Sequence, residues 1–207
     1  MWSELRPYLV DYYNQFDASH DMAHIDRVYE NARRILENYK EANHRIVTLA
    51  VGLHDVEDKK YKNDRSADFM QSIFTTFSVT EEEQKIIRTL IDQVSFSGGL
   101  TATSLEAKIV QDADRIDAIG AIGIARTFAF GGAKDRSLYN HKEVEEVVSG
   151  AKIDNGSSVT HFYEKLLKLK DKMNTEKAKE IAEERHRFME AFLEQLYNEL
   201  GESPCRN

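Results

Sequence analysis

Three short segments carry residue types that bind metals, and each sits where a helix begins, ends or turns inward. Ser19-His20-Asp21-Met22-Ala23-His24 opens an amphipathic pattern. His54-Asp55 closes an apolar run. Asp112-Ala113-Asp114-Arg115-Ile116-Asp117 follows the apolar pair Ile109-Val110. A histidine next to an aspartate at the end of a buried helix is costly unless the pair is hydrogen-bonded or holds a cation. A neutral imidazole beside an ionised carboxylate is what a divalent metal satisfies. Simpler assignments exist for each group alone. His54 could be a core histidine bonded to a backbone carbonyl, Asp55 a helix-end carboxylate, and Asp114 a partner for Arg115 or Arg27. His20-Asp21-Met22-Ala23-His24 also approximates the His-Glu-x-x-His of zinc proteases. That alternative needs Asp21 as the base and leaves His54, Asp55 and Asp114 without a task. His44, His141 and His186 have no partner pattern and are expected to be structural or on the surface.

The elements that must position these groups are helical. Ile25, Val28, Ala32 and Ile35 recur at three- and four-residue spacing. Residues 46–56 form a buried helix and 64–77 another. Thr80 with Glu83 makes a capping box that opens the next, whose inner face is Ile86, Ile87, Leu90, Ile91 and Val94. A helix is expected over 105–128 with a bend near Gly120. The stretch 129–157 has the least regular pattern and is expected to be a long loop. A final long helix after Asn174-Thr175 is expected to turn Ile181, Phe188, Phe192 and Leu196 inward.

The chain has 207 residues, 41% apolar and 31% charged, with only Pro7 and Pro204 and ten glycines. This is globular composition with few breakers and favours an all-α chain. A single domain is expected over 1–207, with its core at about 20–130 and helices of 157–200 packed on it. A net charge of −8 is a poor basis for wrapping a nucleic-acid polymer. Cys205 is the lone cysteine, so no disulfide framework is expected. No stretch has signal-peptide or membrane-span character. A cytoplasmic location follows as the expectation.

With these segments in view, the chain resembles the HD-domain metal-dependent phosphohydrolases. Their signature is a histidine, a downstream His-Asp pair and a distal aspartate. Here His24 heads His-x-x-Arg-Val, His54-Asp55 follows, and Asp114 lies in Ala-Asp-Arg-Ile-Asp-Ala. The words Asp112–Arg126 and Thr160-His161-Phe162-Tyr163-Glu164-Lys165 are similar to single-domain bacterial members that include nucleotide pyrophosphohydrolases.

The resemblance implies a compact helical HD bundle with ligands His24, His54, Asp55 and Asp114. Two-metal members recruit further histidines between the His-Asp pair and the last aspartate, and residues 56–113 contain none. One divalent metal per chain is therefore expected, manganese or magnesium first, with iron, cobalt or nickel as alternatives. Asp58 falls where relatives have a catalytic acid/base; its other assignment is a solvated carboxylate in Glu57-Asp58-Lys59-Lys60. Arg27, Lys60, His20, His161 and Lys165 are substrate contacts on the same basis, and Asp117 orients a ligand histidine. The implied reaction is hydrolysis of a small nucleotide, a nucleoside triphosphate to monophosphate and pyrophosphate. A 5′-nucleotidase, a cyclic- or signalling-nucleotide phosphodiesterase, and a non-catalytic metal-binding regulatory module are the alternatives. A homodimer is compatible with this reading.

Overall fold

The computed structural model describes residues 1–15, 21–56, 66–94 and 101–203. Ten α-helices and two single 3-10 turns occur among the described residues, and no strand does. The chain divides into two compact units, Met1–Asp114 and Arg115–Asn207.

The first unit is built around α3 (His44–Leu53), in which every residue from Ile46 to Leu53 is buried. Asn43 starts it, its side chain accepting from the backbone N–H groups of Arg45 and Ile46. Three helices pack on it: α1 (Trp2–Tyr13), α2 (Met22–Leu36) and α5 (Glu81–Val94). A side chain at Gly52 would meet Leu5 and Leu9 of α1 at 3.0 Å, so glycine there lets the two helices approach closely. In α2 the stripe Ile25, Val28, Ala32 and Ile35 is fully buried, as its spacing predicts. The capping box before α5 forms in both directions: Glu83 N–H donates to Thr80 Oγ1 at 3.2 Å, and Thr80 N–H to Glu83 Oε2 at 2.9 Å. Its inner face is Ile87, Leu90, Ile91 and Val94, while Ile86 is 44% exposed. The unit is completed by α4 (Ser66–Thr76) and most of α6 (Leu105–Asp117).

In the second unit, α7 (Gly120–Ala133) and α10 (Glu176–Leu200) pack together. Where one bent helix is expected over 105–128, two separate helices form. Gly120 opens the second with φ +78°, a conformation that a side chain resists. Arg185 Nη1 donates to the Ile116 carbonyl at 2.6 Å and so satisfies a group the helix end releases. Phe128, Phe162 and Phe192 form a ring cluster with centroids 5.9–6.1 Å apart.

Two expectations are corrected here. The stretch 129–157 is not one loop. It contains the end of α7 and a further helix, α8 (His141–Val148), which Asn140 caps and which buries Val144 and Val147. In α10 the inward face is Ala178, Ile181, Ala182, His186, Met189, Leu193 and Tyr197. Phe188 lies outward, 54% exposed. Phe192 is half-buried beside that face and packs on Phe128 and Phe162.

No single helix among the described residues is long and apolar enough to cross a membrane. Thr80→Ala removes one arm of the capping box and should cost about 1 kcal/mol of stability. Chemical denaturation followed by circular dichroism measures it.

Candidate metal centre

The first candidate ligand, His24, stands in the opening turn of α2. Asp21 is the N-cap, and its carboxylate accepts from the His24 backbone N–H at 2.9 Å. That task fixes the helix start and gives Asp21 a structural role in place of the protease-like base. The His24 side chain is 3% exposed and its Nε2 faces two carboxylates: Asp55 Oδ2 at 3.4 Å and Asp114 Oδ1 at 3.6 Å.

The second and third candidates, His54 and Asp55, follow the last turn of α3. His54 Nδ1 lies 2.8 Å from the Val51 carbonyl oxygen. A carbonyl can only accept, so Nδ1 carries the proton and Nε2 presents a lone pair. This is the carbonyl bond expected of a core histidine, and it also prepares a ligand. His54 Nε2 is buried and makes no hydrogen bond among the described residues. It lies 3.5 Å from Asp55 Oδ1 and 3.9 Å from Asp114 Oδ1. One donor atom each from His24, His54 and Asp55 falls within 4.8 Å of the others. Metal bonds of about 2.1 Å at tetrahedral or octahedral angles separate their donors by about 3.0–3.4 Å. The spacing here is slightly wider, too long for hydrogen bonds and suited to contraction around an ion.

Residues that sequence reasoning missed hold these donors in place. Tyr13 Oη donates to the Gly52 carbonyl at 2.9 Å, and Tyr12 Oη to the Val56 carbonyl at 3.1 Å. The two phenols thus grip the backbone on either side of His54-Asp55. Burial, reinforced by the Asp55 charge, pushes the Tyr13 phenol well above its ordinary range, so it stays a donor. Asn31, two turns beyond His24 on the same face of α2, donates to the Ala113 carbonyl at 3.1 Å. This fixes the register of α6 against α2 one residue before Asp114. A tyrosine pair in an N-terminal helix and an asparagine inside an apolar stripe were the available signals.

The other expected site residues are placed as follows. Arg27 is half-buried, one turn beyond His24. His20, Asp58 and Lys60 lie outside the described residues. Asp117, expected to orient a ligand histidine, is 1% exposed and accepts from Arg126 Nη1 at 2.6 Å. His161 stands in α9 (Ser158–Glu164), and Lys165 follows as its C-cap with φ −134°. The expected four-residue helical pairing of these two is therefore interrupted by the helix end. Burial, then Lys165 and Arg136, lowers the His161 pKa to about 4. His141 is partly exposed between Glu145 and Glu202, and His186 is buried against Glu190.

No protein-family model matches the chain. YpgQ of Bacillus subtilis is 38% identical over 205 residues, spanning 95% of this chain and 92% of that protein. The crystal structure of an HD-superfamily hydrolase from Bacillus thuringiensis is 38% identical, with a TM-score of 0.75 over 97% of this chain and 96% of that one. The crystal structure of YpgQ in complex with ADP gives a TM-score of 0.76 at 36% identity, over 96% and 94% of the two chains. With likeness of this extent joined to the convergent histidines and aspartates, the chain belongs to the HD superfamily of hydrolases. Hydrolases of this superfamily are metal-dependent, and His24, His54 and Asp55 form a group able to hold the ion.

His54→Ala or Asp55→Ala should abolish metal retention while the helical spectrum persists, because the phenol bonds reach neighbouring carbonyls. Metal analysis beside circular dichroism tests this, and full metal occupancy in either variant refutes the assignment. His161 gives a pH prediction. Its depressed pKa means the unfolded chain takes up the proton first, so stability should fall as pH drops from about 6.5 towards 4. Replacing His161 with Asn should flatten that part of the stability–pH curve.

Proposed function

We propose that this chain is a hydrolase of small nucleotides that converts a nucleoside triphosphate to the monophosphate and pyrophosphate, using one manganese or magnesium ion. The observation that carries the reading is the convergence of His24, His54, Asp55 and Asp114 on one cluster, buried except at Asp114. The nucleotide class is supported by YpgQ, which was crystallised with ADP. An intact donor set argues against a regulatory module without turnover, since such a site has no need to keep all four.

When bound, the cation supplies Lewis-acid polarisation of a phosphoryl oxygen and lowers the pKa of water. The protein's own tasks are distinct from this. His54 is held by Val51 so that Nε2 remains basic. Asp114, 30% exposed where the histidines are almost fully buried, stands on the open side of the cluster. Asp58, four residues past His54 in the sequence, is assigned the proton of the attacking water or of the leaving phosphate. Arg27, Lys60 and His20 are assigned to substrate phosphate around the metal ligands, and His161 and Lys165 to phosphate in residues 115–207. Asp117 keeps Arg126 in place, and its influence on a ligand histidine belongs to the same proposal.

Asp58→Asn keeps size and polarity but cannot take up a proton. It should retain about one metal per chain and turn over at least about tenfold more slowly, the low edge of general acid–base effects. The test is kcat and metal content on one preparation, with products from a nucleotide panel identified by phosphorus NMR. Unchanged turnover removes Asp58 from catalysis, and lost metal moves it among the ligands. Inorganic phosphate released from monophosphates would favour the 5′-nucleotidase, and opening of a cyclic nucleotide the phosphodiesterase.

A further inference from the structure

Val56, the residue after Asp55, is held at both of its backbone groups. Its N–H donates to the Leu53 carbonyl at 3.1 Å, which closes a turn over 53–56 that contains His54 and Asp55. Its carbonyl accepts from Tyr12 Oη at 3.1 Å. The Tyr12 oxygen has a second neighbour. Ser66, the first residue of α4, places its Oγ 2.9 Å away. A phenol carries one proton, and a carbonyl has none to offer. The Tyr12 proton therefore lies on the bond to Val56, and Ser66 donates to Tyr12. The chain of bonds runs one way, from Ser66 through Tyr12 to Val56.

The same face of α4 also fixes the phenol ring. Phe69 lies three residues after Ser66, one turn along the helix. Its ring is stacked on that of Tyr12, with centroids 4.3 Å apart and planes 11° from parallel. Tyr13 meets Tyr12 edge-on, at 5.4 Å and 83°. Tyr12 is 6% exposed and Ser66 is fully buried, so little solvent is at hand to replace either hydroxyl as a donor. Accepting from Ser66 polarises the Tyr12 O–H and strengthens the bond it passes on. Asp55 leaves the chain one residue before the carbonyl held in this way. Its Oδ1 and Oδ2 face His54 and His24 at 3.5 and 3.4 Å. A small rotation of the 53–56 turn would change that spacing, and with it the fit of the donors to an ion.

We propose that Ser66 is a positioning residue for the metal centre. By donating to Tyr12 it commits the phenol proton to Val56, and so sets the turn from which Asp55 reaches the ion. This rests on Asp55 as a metal ligand, as assigned above, and does not depend on which substrate is hydrolysed. It brings α4 among the elements that shape the centre, with Ser66 directing the proton and Phe69 the ring.

The test is titration of the metal-free full chain with manganese, read by calorimetry. Ser66→Ala and Tyr12→Phe should each weaken manganese binding about tenfold, the low edge of what losing a partner that orients a metal ligand costs. In the Tyr12→Phe background, Ser66→Ala should change the affinity by less than about twofold, because the bond it serves is already gone. Melting of the metal-free variants is followed in parallel. A role in packing alone lowers the melting temperature and leaves the affinity of the folded chain at the parent value, and that result overturns the proposal. A full effect of Ser66→Ala in the Tyr12→Phe background also overturns it, since Ser66 would then act by another route. If Ser66→Ala does not fold, Ser66→Cys takes its place in the same cycle, because a thiol is a weaker donor of similar shape. Nucleotide hydrolysis by the parent separates this proposal from the one above. Hydrolysis with manganese affinity indifferent to Ser66→Ala defeats only the role of Ser66. Ser66-dependent manganese binding without hydrolysis of any nucleotide defeats only the nucleotide-hydrolase reading.

Discussion

Two carboxylates and two imidazole nitrogens share one small volume, and little in the first unit is arranged without reference to that. With His54 protonated on Nδ1, its Nε2 is an acceptor, as are the oxygens of Asp55 and Asp114. The His54 nitrogen and the carboxylate oxygens that face it at 3.5–3.9 Å are all acceptors and gain nothing from mutual contact. Protons or a metal ion must come between them. Burial of the histidines, 2–3% exposed, makes the requirement stricter, because little solvent reaches their side of the cluster. The surrounding packing has to hold these groups together in spite of their preference to separate.

How it does so explains several otherwise unrelated residues. The helix that carries His54-Asp55 is buried on all sides, so its end cannot swing outward without exposing apolar surface. Gly52 brings α1 against that end, and the closeness allows the phenols of Tyr12 and Tyr13 to reach the carbonyls of Val56 and Gly52. The Gly52 carbonyl lies in the last turn of α3, where carbonyls lack a partner within the helix. On the opposite approach, Asp21 fixes the start of α2 and Asn31 its register against α6. Each side chain satisfies a backbone group and sets a ligand with the same bond.

The clustered histidines and aspartates were legible in the sequence because metal chemistry restricts residue type and helical spacing restricts where each side chain can face. Helix content and the buried stripe of α2 were legible for the same periodic reason, and the Thr80–Glu83 box because its bonds are local. The supporting bonds were not. Tyr13 to Gly52 spans 39 positions and Asn31 to Ala113 spans 82, and no local pattern announces either. The face of α10 was misjudged at Phe188 because large apolar residues were weighted above spacing, whereas Ala178, Ala182 and His186 carry the true stripe. The α8 helix was hidden by a polar composition in which only Val144 and Val147 face inward. Asp58, His20 and Lys60 keep only their sequence-based assignment.

Charge distribution sets a further constraint on how such a protein takes up a polyanionic ligand. The whole chain carries −8, and the repulsion this puts on a nucleotide is largely screened beyond about one Debye length, near 8 Å at physiological ionic strength, so it is felt close to the surface. Attraction has to be local and built from oriented donors, because a diffuse positive field is not available. Arg136 is one such oriented donor, its Nε bonded to Asn155 and its guanidinium over the Phe130 ring. His161 meets it differently: neutral in the absence of anion, it adds no repulsion between the flanking cations, and it becomes charged only when a phosphate is there to receive the proton's field. Salt then acts in two opposing directions, screening the repulsion of the acidic chain while weakening these short contacts less, since partly buried charges are the last to be screened.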